Sequence, residues 1–384
     1  MKKLAVIGAS YLQEPLIQKA RSMGLETHVF AWAANDVGEK SADHFYPISI
    51  VEKEAILDQC REIGIDGICT IASDLAVITV NYVADALGLT ANSPGCTLVS
   101  TNKHLMRERF AGHGDPSPAS LLVSSADDLR GIRLNYPVIV KPLDRSGSRG
   151  ITKLKGPEGL AEAVSLAESQ GFIKQALVEE FAIGREYSVE CVSWQGEHHL
   201  LAITQKFTTG APHFVETAHL EPAAFSAAET ERIRKIIFHA LDSLEIRYGA
   251  SHSEFKMDAS GLIRLIEIGG RMGGDCIGSS LVELSSGVDF LRAVIDTALG
   301  TPPDLTPVHP GRAAAVRFVF TGEDLDVLEQ CRNEHPEYLV TADVRTPGQQ
   351  EVTDSSARYG YFLMTADSRG DLLRYLPAQR EEEF

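Results

Sequence analysis

Residues 250–268 of this chain read ASHSEFKMDASGLIRLIEI, two strand-like runs at 250–257 and 262–268 broken by the turn residues Asp258, Ser260 and Gly261. A hairpin centred between Ser260 and Gly261 pairs residues whose numbers sum to 521, which sets Glu254 directly opposite Glu267 on one face. Their Cβ atoms would then lie roughly 5 Å apart. Like charges directly across a sheet repel, so a sequence that keeps two there invites a cation between them. Oxygen-only donors at this spacing suit Mg²⁺, which takes one or two carboxylates and completes its octahedron with water and phosphate oxygens. Two solvated glutamates on an open hairpin face fit the pair equally well when it is read alone. The segments upstream bear on the choice.

At 384 residues and 44% hydrophobic, the chain has material for two or three domains. A formal charge of -17 argues against nucleic acid or an anionic membrane as partner, since binding phosphate surfaces needs a basic face. Cys60, Cys69, Cys96, Cys191, Cys276 and Cys331 follow neither CxxC spacing nor a disulfide framework. The opening MKKLAVIGAS has two lysines before an apolar run, but that run is too short for a signal peptide and fits a first buried strand. No stretch reaches transmembrane length. A cytoplasmic protein is expected.

The fold class expected is α/β and α+β in three units. Strands at 3–8, 26–31 and 66–71 alternate with helices at 14–24, 52–63 and 75–88, the pattern of a parallel α/β unit spanning 1–100. Gly8-Ala9-Ser10 lacks the remaining glycines of a dinucleotide fingerprint. After a boundary near Asn92–Gly95, residues 101–300 mix strands and helices. The proline-rich run 301–311 then marks a second boundary, followed by a small α+β unit at 301–384.

In YPVIVKPLDRSGSRG (136–150), Lys141 ends an apolar strand and a Gly/Ser loop follows at once. Glycine lets backbone N–H groups approach an anion, and an unpaired lysine in an apolar strand is costly, so a negative ligand is favoured over a side chain that snorkels to water. This is not a Walker loop, in which the lysine lies inside the loop. LVEEFAIGREYSVE (177–190) offers an apolar strand, a Gly184 turn and edge carboxylates, where a purine could stack; solvated glutamates read equally well there.

Taken in order, Lys103 before a boundary helix, VIVKP with its glycine loop, VEEF, GREYSVE, Glu254, Glu267 and Arg271 resemble the ATP-grasp superfamily. The first hundred residues resemble its pre-ATP-grasp domain. This resemblance implies that Lys103 and Lys141 contact ATP phosphates beneath a loop comprising Ser146, Gly147, Ser148 and Gly150. It implies adenine binding by Glu179 and by the backbone of Glu180, Phe181 and Ala182, and ribose binding by Glu186. Glu254 and Glu267 would hold Mg²⁺, one or two ions with Mn²⁺ as an alternative, while Arg271 would neutralise an acyl phosphate. Many members carry asparagine as a further metal ligand where this chain has Gly269, which leaves a second metal position in doubt.

Residues 205–222 and 269–289 resemble the L-amino acid ligases of the superfamily. In those enzymes the residues matching Glu216, His219, Arg271, Gly273, Gly274 and Asp275 surround the substrates. His219 is assigned either to holding or deprotonating the incoming amine or to a merely structural polar contact. A zinc triad of His213, Glu216 and His219 is disfavoured, because Pro212 and β-branched neighbours argue for extended chain. The expected activity is an ADP-forming carboxylate–amine ligase, with a bicarbonate-activating enzyme as the alternative. Expected partners are a small-molecule carboxylate and an amine, without nucleic acid or membrane, and a homodimer stays open.

Overall fold

The computed structural model describes residues 1–144, 150–211, 213–348 and 351–378. Ser146, Gly147 and Ser148 of the expected phosphate loop therefore lie outside the described residues.

The apolar run Lys3–Ile7 becomes an inner strand of a four-stranded parallel sheet ordered His44–Tyr46, Glu26–Phe30, Lys3–Ile7, Gly67–Cys69. Helices Lys53–Ile63 and Asp74–Leu87 end where Gly64 and Gly88 take left-handed conformations (φ 69° and 68°), which close the last turns at no side-chain cost. Helix Val37–Ser41 and strand His44–Tyr46 were not anticipated, being too short to show a period. One face of the sheet packs on Ile56, Val83 and Ala84. The other meets helix Phe290–Ala298, which seats this unit on the rest of the molecule through Leu291, Val294 and Ile295.

A second four-stranded sheet, antiparallel, runs Ser120–Val123, Ala176–Glu180, Val138–Pro142, Thr152–Leu154, with helix Leu160–Gln170 against it. The third is an eight-stranded antiparallel sheet, ordered Ile263–Gly269, Gly249–Met257, Arg185–Trp194, Glu197–Thr208, Glu216–Glu221, Ala313–Phe318, Gly360–Ala366, Leu339–Val344. The C-terminal strands extend this sheet by pairing Ala313–Phe318 with Glu216–Glu221. All six cysteines are free and buried. Among the described residues no helix is long and apolar enough to cross a membrane.

The hairpin forms in the expected register. His252 pairs with Gly269, Ser253 with Ile268 and Glu254 with Glu267; the register then shifts so that Phe255 faces Leu265, leaving Ile266 as a bulged residue. A bulge twists the strand and re-aims its neighbours. Here it frees the Ile266 carbonyl to accept a 2.6 Å hydrogen bond from Arg107 Nη2.

Candidate active site

A cavity of about 360 Å³ opens between the smaller antiparallel sheet and the large one, with Leu12, Ala72 and Asp74 of the parallel unit on its rim. It gathers Lys103, Lys141, Glu179, Glu180, Phe181, Ala182, Glu186, Glu216, His219, Glu254, Glu267, Arg271, Gly274 and Asp275. Two expected residues stand back from it. Gly150, in a left-handed turn, lies against Gln170 and Pro142, and the N–H of Gly273 donates to Glu190 Oε2 at 2.9 Å. That N–H is therefore not free for a substrate carboxylate, contrary to the expectation for Gly273. The residue is glycine because a Cβ there would sit 2.6 Å from Glu190 Oε1 and 2.8 Å from His252 Nδ1.

One end of the cavity is apolar and aromatic. Ile139, Ile151, Phe181, Phe214 and Ile266 line it, with the Phe181 and Phe214 rings 5.8 Å apart and the Lys153 ammonium 3.7 Å from the Phe181 centroid. Glu179 departs from its expected contact with adenine. Its carboxylate is 2% exposed and is held by Arg107 Nε at 2.8 Å and by Lys141 Nζ at 2.5 Å. Burial works against ionisation, but Arg107 and Lys141 outweigh it and hold the Glu179 carboxyl at about 2. Glu179 therefore aims Lys141, which reaches it diagonally from the neighbouring strand. Burial is the larger influence on Lys141 itself and lowers its pKa.

The hairpin carboxylates lie at the cavity's centre, each met by a lysine. Lys103 Nζ stands 2.7 Å from Glu267 and Lys206 Nζ 2.6 Å from Glu254. Lys206 was not anticipated. It is 3% exposed and its ammonium is also 3.0 Å from Glu186 and 3.5 Å from Glu216. Despite burial, those carboxylates raise Lys206 well above the ordinary lysine range, and Lys206 holds Glu254 well below the ordinary carboxylate range. Oxygens of Glu186, Glu216 and Glu254 lie within 4.8 Å of one another, a spacing that could hold an ion, but the Lys206 ammonium already stands among them. The directly opposed Glu254 and Glu267 both line the cavity and offer hard oxygens of the kind that could hold Mg²⁺. His252 supports Glu254 at 3.3 Å and is itself bonded to the buried Glu190. Burial would lower His252, yet the Glu190 charge prevails and raises it to about 9.

Arg271 is committed to Asp74 by a two-pronged pair, Nε to Oδ1 at 2.8 Å and Nη2 to Oδ2 at 2.9 Å. This pair also accounts for Gly269. A Cβ there would approach Asp74 Oδ1 to 2.6 Å and Arg271 Nε to 3.1 Å, so an asparagine would displace the arginine's anchor.

The far end is acidic. Asp275 (φ 53°) is paired at 2.8 Å with Arg358 Nη1, and the same guanidinium lies 3.6 Å from Glu216 and 3.7 Å from the Phe318 ring. Glu216 and His219 are three apart and would point to opposite faces of a regular strand. A register shift makes Thr208 pair with Glu216 but Lys206 with His219, and that irregularity turns both toward the cavity. The His219 ring is 1% exposed, edge-on to Phe318, and neither ring nitrogen has a hydrogen-bond partner among the described residues. Burial, then the Lys206 and Arg358 charges, push His219 down to about 3, so it is neutral at physiological pH. No cluster of His213, Glu216 and His219 forms among the described residues.

Beneath this floor Glu221 is fully buried, accepting from Thr204 Oγ1 at 2.7 Å and Ser285 Oγ at 2.6 Å. Burial raises it from 4.5 to about 7. Native Glu221 thus holds its proton more tightly than the unfolded chain does. Its contribution to stability is complete below pH 4.5 and is lost as pH rises toward about 7. Glu221→Gln, which mimics the protonated form, is expected to be the more stable protein at pH 8, since each tenfold gain in proton affinity on folding corresponds to about 1.4 kcal/mol. Urea melts of both proteins at pH 5 and pH 8 test this; an equal loss of stability by both would contradict it.

Residues 134–279 match the family model described as an ATP-grasp domain. Carnosine synthase 1 of Mus musculus is 27% identical over 345 residues, covering 80% of this chain and 41% of that protein, so the chain spans about two fifths of that relative's length. Among solved structures, the L-amino acid ligase from Bacillus licheniformis aligns with a TM-score of 0.83 at 23% identity, covering 98% of this chain and 96% of the other. N5-carboxyaminoimidazole synthetase from Staphylococcus aureus, complexed with ADP, aligns with a TM-score of 0.78 at 16% identity, covering 97% and 95%. These two structures share the fold.

Proposed function

Residues 134–279 of this chain are an ATP-grasp domain, and on that premise we propose that the protein is a cytoplasmic, ADP-forming carboxylate–amine ligase. It activates the carboxylate of an amino acid as an acyl phosphate and joins it to an amine, giving a peptide or peptide-like amide. The observation that carries this reading is the far end of the cavity, where Glu216, Asp275 and a neutral His219 with no hydrogen-bond partner among the described residues face the same space as Arg271. Such an end suits a substrate bearing both ammonium and carboxylate groups. Bicarbonate has no cation for those acids to meet.

In this scheme the apolar end takes adenine against Phe181, Ala182 and Phe214, and Glu186 meets the ribose. Lys103 and Lys141 draw the phosphates in, with Glu179 aiming Lys141. Glu254 and Glu267 would hold Mg²⁺, or Mn²⁺ in its place, and the ion would supply charge neutralisation for phosphoryl transfer. The substrate carboxylate oxygen attacks the γ-phosphorus and ADP leaves. The amine then adds to the acyl carbon beside Arg271, and the tetrahedral intermediate expels phosphate. His219, at about 3, is a weaker base than the departing phosphate, whose second pKa is about 6. The imidazole therefore orients the amine by accepting a hydrogen bond, and the proton leaves with phosphate.

A grid of carboxylates against amines, read by ADP release and product mass, tests the reading; ADP release that requires bicarbonate and no amine would overturn it. His219→Ala is expected to keep activating the carboxylate while coupled product falls, raising the ratio of ADP to amide by roughly tenfold, the upper end of what one neutral hydrogen bond of about 0.5–1.5 kcal/mol supplies. Equal loss of ADP and amide would remove His219 from the amine site.

A further inference from the structure

Outside the lining of the cavity, at the edge of the parallel sheet, two imidazoles and a carboxylate converge. Strand Glu26–Phe30 carries Glu26 and His28 on one face, and His44 of the edge strand pairs directly with His28. Glu26 Oε1 lies 3.2 Å from His28 Nε2 and 3.2 Å from His44 Nε2, and the ligand atoms of all three residues fall within 4.8 Å of one another. We propose that Glu26, His28 and His44 form a site for a divalent transition metal of the Zn²⁺ class, separate from the nucleotide cavity.

Three observations support it. A tetrahedral ion with bonds near 2.0–2.1 Å has ligand–ligand edges of roughly 3.3 Å, close to both measured nitrogen–oxygen distances. The His28 side chain is 4% exposed, and its Nε2, 3.2 Å from the Glu26 carboxylate, has no hydrogen-bond partner among the described residues. Its other nitrogen lies 3.1 Å from the Tyr46 hydroxyl, the kind of outer contact that orients a metal-ligating imidazole. The neighbouring Lys3 ammonium donates to the Ile63 carbonyl at 2.9 Å, and among the described residues no lysine or arginine pairs with Glu26.

The two imidazoles now stack, 4.8 Å apart and 16° from parallel. Closing on an ion requires the His44 ring to turn out of the stack, and its side chain is half exposed on an edge strand. Solvent reaches the site from that side and supplies the fourth ligand. An ion there would tie the short edge strand to its neighbour.

Untagged full-length protein, titrated with Co²⁺ under excess Mg²⁺, tests this by visible absorption and native mass spectrometry. The expected result is one tightly bound Co²⁺ with the intense spectrum of a four-coordinate ion, displaced by Zn²⁺. His44→Ala and Glu26→Gln should each weaken it by roughly tenfold or more, since the loss of outer contacts alone reaches that scale. Both positions are partly exposed, so these variants are expected to keep their fold. His309→Ala, at a histidine elsewhere on the chain, should leave the titration unchanged. Absence of Co²⁺ binding by the wild type, or undiminished binding by His44→Ala, overturns the proposal.

Discussion

Glu267→Gln is expected to abolish Mg²⁺-dependent ADP formation, by at least about a thousandfold, in a protein that stays folded. The substitution keeps the volume of a partly exposed side chain in a hairpin whose register depends on backbone pairing and buried neighbours such as Leu265 and Ile268. What it removes is a charge facing Glu254, one of the two hard oxygens that can bring Mg²⁺ to the phosphates. It also strips Lys103 of its 2.7 Å partner. Lys103 rises above its ordinary pKa because Glu267, with Asp74 and Glu254, outweighs burial, so the variant also weakens the charge balance around that ammonium at the cavity wall. Measurement of ADP release, with circular dichroism to confirm the fold, decides the matter. Activity within tenfold of wild type would remove the hairpin from the metal site.

Lys206→Met is expected to be the most damaging substitution for stability. Removing the ammonium leaves Glu186, Glu216 and Glu254 facing one another without their shared counter-charge. Breaking a buried pair on one side typically costs about 3–5 kcal/mol, which is on the order of 10 °C in Tm for a chain of this size. The pH dependence follows from the sign of the shifts. Glu254 is held well below 4.5 in the wild type, so its contribution is present above pH 4.5 and fades as pH falls toward its native pKa. The variant has lost that contribution already. The gap in Tm should therefore hold level above pH 4.5 and narrow as pH falls below it, and thermal melts from about pH 2.5 to 7 report it. A gap that is constant across this range would show that lost packing, rather than charge, destabilises the variant.

Much of the cavity wall was legible because strand alternation and turn chemistry are local. VIVKP places Lys141 on a strand, and ASG centres a hairpin that sets Glu254 against Glu267. Lys206 could have been found by the reasoning applied to Lys141, since QKF also buries a lysine in a strand. Asp74 and Arg358 carry no such signal. Asp74 reaches Arg271 across 197 residues, and Arg358 reaches back to Asp275 across a similarly non-local stretch of chain; no local pattern encodes a contact at such separation.

Hydrogen-bond register and side-chain period act over a few residues, so the parallel unit, the hairpin pairing and the opposed carboxylates are written in the local sequence. Which groups those carboxylates meet is set only when distant segments pack. The bulges at Ile266 and beside Glu216 break the two-residue period, and they depend on how neighbouring strands pair. Gly273 looked like a substrate contact until packing assigned its N–H to Glu190, and Glu179, on a strand, looked like an adenine ligand until Arg107 arrived from helix Lys103–His113. Gly269 reads in sequence as a missing metal ligand. In the fold it is the space that lets Arg271 reach Asp74.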